Sequence, residues 1–250
     1  MGNRRENILY AVSTAIFSLL AVLFLCVMVT SLSRNFIDMY VRIGWAWRHP
    51  GNYVGLMAGF IAYIAFLPSL VLPRIRHNFV WFRKFTHELT HTLLAIAFFA
   101  RIREFVVKDK ECYVSYKAGP IGYVPITLSP YCMPIYTFML FPFRFVGDSH
   151  YMIVFDFLIA FTYEFHLHTF ISQTRPSQSD IEGCGYALSA AFISFVHFCV
   201  ISVILATPKG GVLNAVCRVF WEYPSEIFTA PAAWLENILK ISVFNGYLFP

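Results

Sequence analysis

The sequence predicts an all-α polytopic membrane protein with a small β-strand insertion, and three observations predict it. Hydrophobic residues fill 58% of the 250 positions and charged residues only 13%, roughly half the charged share of a soluble domain. Apolar runs of about 20 residues, the length that crosses a bilayer, recur from end to end. One stretch of mixed polarity interrupts them, rich in Val and Tyr and broken by Gly119-Pro120 and Pro125. It reads as two or three short strands around turns.

The first span is expected over residues 7–32. It follows Arg4 and Arg5, is too long for the apolar region of a signal peptide and has no small-x-small exit, so it reads as a retained anchor. Trp45, Trp47, Arg42 and Arg48 then give the aromatic and basic mixture of a membrane interface. A second span covers 52–72, with Pro68 as a kink near its end. A basic connection with Arg74, Arg76, Arg83 and Lys84 leads into a third helix over 79–102, and the strand segment occupies 104–128.

Residues 130–146 are apolar but short, and Pro134, Pro142 and Arg144 break them. They read as a re-entrant or interfacial piece. Spans over 150–171 and 181–206 complete a set of five, or six if 130–146 also crosses. Residues 212–250, with Trp221, Trp234 and Lys240, read as interfacial helix pieces. The organisation expected is therefore an N-terminal pair of spans (1–75), a membrane core (76–206) and a C-terminal interfacial segment (207–250).

The formal charge of +5 does not point to nucleic acid, because Lys and Arg sit mostly between apolar runs, where they meet lipid headgroups and set orientation. Their bias places the connection before the third helix on the cytoplasmic side of a cell inner or plasma membrane. Six cysteines, at 26, 112, 132, 184, 199 and 217, form no CxxC pair, so neither a zinc ribbon nor a redox motif is indicated. Cys26 and Cys199, inside apolar runs, are expected to be small core residues.

His87-Glu88-Leu89-Thr90-His91 matches HExxH. On a helix, positions i and i+4 share a face, so both imidazoles reach one Zn²⁺ and Glu88 stands beside it as general base. A Glu and two His within an apolar helix are costly, and such residues are functional by default. A catalytic zinc needs a third protein ligand. Among Asp156, Glu164, His166, His168, Asp180 and Glu182, the choice is Asp180, which follows a polar link and begins the last long helix. Glu164 is the runner-up ligand; if 130–146 spans the membrane, Glu164 or His168 takes that role, and otherwise either reads as an outer partner of the site. His166 and His168 are two residues apart and do not share a helix face, so both read as interfacial. All ligands must lie at one depth. His87, roughly 12 Å into a helix starting at 79, and Asp180, at a helix start, meet only if 130–146 does not span.

These features resemble the site-2 protease family of intramembrane metalloproteases. HELTH at His87–His91 within a membrane helix, a strand-like segment 104–128 directly after it, and Asp180 near the start of a later helix, with Gly183 beyond, carry the resemblance over roughly 79–206. The family's Asp-Gly pair is here Ser-Asp-Ile-Glu-Gly. The resemblance implies hydrolysis of a peptide bond in or near a transmembrane segment of a membrane-protein substrate, with Zn²⁺ as cofactor and Glu88 as general base and proton donor. Two other functions fit the same residues: a membrane zinc peptidase acting on soluble or lipidated peptides, and a transporter or scaffold with a chance HExxH.

Overall fold

The computed structural model describes residues 2–46, 53–108, 111–146, 151–175, 177–209, 211–222 and 225. They are mostly helical. The order is α1 (Gly2–Ala46), α2 (Val54–Phe66) with a 3-10 turn (Leu67–Val71), and α3 (Pro73–Ala97). Then come β1 (Arg101–Val107), β2 (Cys112–Lys117), α4 (Pro120–Cys132), α5 (Ile135–Val146) and α6 (Met152–Gln173). The chain continues through α7 (Ser179–Cys184), α8 (Tyr186–Ala206) and α9 (Gly211–Cys217) to a π-helical turn (Arg218–Glu222). Trp47, Arg48 and residues 226–250, including Trp234 and Lys240, lie outside the described residues; of the segment expected as interfacial pieces over 212–250, the described part is α9 and this turn.

Two described helical segments, Val54–Val71 and Tyr186–Ala206, are long and apolar enough to cross a membrane, and the pair α4–α5 makes a third if its two arms count as one broken span. The five or six spans expected are not supported by that test. The apolar run described in α1, Asn7–Leu23, is shorter. Polar side chains dilute the rest: Arg74, Arg76, Arg83, Lys84 and Glu88 in α3, and Asp156, Glu164, His166 and His168 in α6.

Element boundaries differ from expectation where proline and glycine have a tertiary role. The basic stretch is not a connection but the first turns of α3, because Pro73 sits at the first helical position, where its missing N–H costs nothing and its φ is already helical. His87 thus lies about 21 Å along its helix rather than 12 Å. Phe99, at φ 54°, ends α3 and turns the chain into β1. The strand segment is only the antiparallel hairpin β1–β2, bulged between Ile102 and Glu104. Residues 120–132 are helix instead, again with Pro at the first position. The stretch expected as one re-entrant piece over 130–146 is the end of α4 plus α5, meeting at an 84° bend. The last long helix is broken at Gly185, whose φ of 84° belongs to the left-handed region that favours glycine.

Packing brings these pieces around α4. Val124, Ile126, Leu128 and Tyr131 of α4 are essentially inaccessible, and α1, α7 and α8 close over Val124, Leu128 and Tyr131. On the far side α2 packs on α6 through Gly55 and Gly59: a Cβ at either would collide with the carbonyl of Ile153 or Phe157. This is the close backbone approach that a small-xxx-small pair permits. Cys199 is buried as expected.

Candidate metal centre

The helical repeat sets His87 and His91 on one face of α3, with ring centroids 5.1 Å apart. The link after α6 delivers Asp180 to them. Its Oδ2 lies 3.9 Å from His87 Nε2 and 3.5 Å from His91 Nε2. One ligand atom from each of the three residues falls within 4.8 Å of the others. Ligands at 2.0–2.1 Å from a tetrahedral zinc stand about 3.4 Å apart, so the cluster is slightly open but of the right size to hold a metal ion.

The chain also orients His91. Its Nδ1 is 2.8 Å from the Ile126 carbonyl. A carbonyl only accepts, so Nδ1 carries the hydrogen and the Nε2 lone pair faces Asp180. That carbonyl is available because Pro130, four residues on and inside α4, has no N–H to donate; the Ser129 hydroxyl is its other donor. Replacing Pro130 with Ala supplies a competing N–H, and metal affinity measured by chelator competition is expected to fall by about tenfold, the low end for losing an outer partner. Unchanged affinity would show that His91 needs no such help.

Glu88 is buried and stands in the same cleft as Val114 of β2. His87, Glu88, His91, Asp180 and β2 from Cys112 to Tyr116 line one open cleft of about 570 Å³. Asp180 sits in α7, outside the candidate spans. Burial works against its charge, but the neighbouring His91 and His87 imidazoles and the Tyr131 hydroxyl outweigh it, so the carboxyl lies below the usual carboxylate range. It is thus in the ionised form a metal requires.

The remaining candidates lie elsewhere. Glu164 and His168 do not join the cluster; His168 Nδ1 bonds the Tyr63 hydroxyl of α2 at 2.9 Å. The His168 ring stands between Tyr63 of α2 and Phe79 of α3, with centroids 6.1 and 5.4 Å away. His166 is buried against His197, 5.5 Å between rings, rather than interfacial. Asp156 pairs with Arg144, and Glu182 is exposed in α7. Sequence reasoning missed Tyr131, which carries no local signal and whose hydroxyl lies 3.0 Å from Asp180 Oδ2. It also passed over His197, although a histidine in the apolar run 181–206 is such a signal. Comparison of the chain with family models, with characterised proteins and with solved structures finds no match in any of the three.

Proposed function

We propose that the protein is an intramembrane zinc metalloprotease of the site-2 protease type, hydrolysing peptide bonds in or near transmembrane segments of membrane-protein substrates. The single observation carrying this reading is the convergence of two imidazole nitrogens and a carboxylate oxygen within 4.8 Å, with Glu88 in the same cleft. Two nitrogens, one oxygen and an open side are the donor set of a catalytic zinc, and the HExxH origin of the nitrogens favours zinc over harder cations.

His87, His91 and Asp180 would hold the zinc, which would supply a Lewis acid and lower the pKa of water toward neutral pH. The chain's own part is proton traffic and positioning. Glu88 takes the proton from the attacking water and returns it to the departing amine as the C–N bond breaks. β2, which is paired only with β1 among the described residues, lines the cleft beside Glu88, so an extended peptide fits along it by strand addition. In this reading α1, α3 and α6 are membrane-embedded with α2 and α8, the α4–α5 bend is re-entrant, and the basic start of α3 faces the cytoplasm.

Metal removal tests the reading. The purified protein in proteoliposomes is expected to hold one zinc per chain and to cleave a reporter with a single membrane span. Chelation should stop cleavage and added zinc restore it. A chain that holds no zinc, or cleavage that persists after chelation, would overturn the assignment.

A further inference from the structure

We infer that Tyr131 and His197 are positioning residues that hold the Asp180 carboxylate toward the two histidines; the inference rests on the metalloprotease reading above. The six residues of α7 are separated from α8 by Gly185 in the left-handed region. Asp180 is therefore not a side chain of a long rigid helix, and something else must set its place. Among the described residues, Tyr131 is the one hydroxyl that donates to it, at 3.0 Å from Oδ2. The Tyr131 side chain is itself immobilised: it is 1% exposed, and its ring meets that of His87 edge-on, 5.5 Å between centroids.

The backbone of Tyr131 is held as firmly from behind. α4 ends at Cys132 and Met133 is extended, so the Tyr131 carbonyl is among those left without a helical partner. His197 Nε2, from α8, lies 3.0 Å away. Since a carbonyl only accepts, Nε2 bears the hydrogen and Nδ1 is the acceptor, and the Tyr163 hydroxyl of α6 donates to it at 3.1 Å. Phe170 packs on the His197 ring at 5.0 Å. Donors thus run in one direction, from Tyr163 to His197, from His197 to the Tyr131 carbonyl, and from the Tyr131 hydroxyl to Asp180. Three elements that supply no ligand, α4, α6 and α8, determine where the third ligand stands.

Partners of ligating groups usually contribute about 10–100-fold to metal affinity. Zinc dissociation constants from chelator competition are therefore expected to weaken by about 10–100-fold in Tyr131→Phe. In an Asp180→Ala background the same substitution should change nothing further, because its effect passes through the carboxylate. His197→Phe should weaken binding in the same direction, and His197→Gln, which restores an N–H donor, should recover part of it. Unchanged affinity in Tyr131→Phe, or an equal loss with and without Asp180, overturns the positioning role. Equal affinity of wild type and both His197 variants overturns the part of His197. A wild-type protein that binds no zinc overturns this inference and the protease reading together. Tight wild-type binding that Tyr131→Phe leaves untouched removes only the inference.

Discussion

Replacing Glu88 with Gln is expected to leave zinc in place and to slow hydrolysis of a membrane-embedded reporter by about 100- to 10,000-fold, the range a positioned general base contributes. Gln keeps the volume of Glu, so the cleft retains its shape. What is lost is the capacity to take a proton from water and pass it to the amine. Zinc content from elemental analysis and kcat from reporter cleavage separate the two roles. Turnover within tenfold of wild type would remove Glu88 from the proton path. Loss of zinc in the same variant would make Glu88 a structural partner of the cluster instead.

The second large effect concerns the fold. Arg144 near the end of α5 and Asp156 of α6 form an ion pair, Nε to Oδ1 at 2.7 Å, with both side chains only 4% exposed. Removing one partner of such a pair leaves an uncompensated buried charge, which costs about 3–5 kcal/mol. Arg144→Met is expected to destabilise the protein by that amount in chemical unfolding from detergent micelles. The double variant Arg144→Met, Asp156→Leu should recover most of it, because two well-packed apolar residues replace a buried pair at little net cost. A loss below about 1 kcal/mol in the single variant would place the pair in contact with water. The recovery separates charge burial from simple loss of Arg packing, since the double variant lacks the Arg stem as well.

Arg144 also shows where a sequence is legible and where it stops. It was visible as an anomaly, a cation in an apolar run, and Asp156 as another. An ionised residue among apolar neighbours requires a partner, so the pair was within reach of the sequence, although the 84° bend that leads the chain into α5 was not. Gly55 and Gly59 are similar. Their spacing is written in the chain, but only the α2–α6 contact says which backbone approaches. His197 likewise stood out as a polar residue in an apolar run, but nothing local named the Tyr131 carbonyl as its acceptor.

Proline was the main source of misreading. In residues 118–128, Gly119-Pro120 and Pro125 look like turn chemistry between strands. In the fold, Pro120 opens α4, and Pro125 and Pro130 lie inside it. An interior proline forfeits a helical hydrogen bond; at Pro130 the carbonyl so released is taken by His91 and Ser129. That compensation comes from α3, 35 positions away in the chain, and no local pattern contains it.

The sequence by itself determined the hydrophobic character, the pairing of His87 and His91 on one helical face, the adjacent Glu88 and the presence of strand directly after that helix, and it singled out Asp180 among six candidates for the third ligand. The first four follow from short-range periodicity and composition, which act over a few residues. Only the tertiary structure decided that Asp180 arrives on a six-residue helix detached from α8, that His168 bonds Tyr63 of α2, and that Tyr131 and the Ile126 carbonyl stand behind the ligands. These are contacts between segments tens of residues apart, selected by which buried polar groups can satisfy one another once the helices have packed.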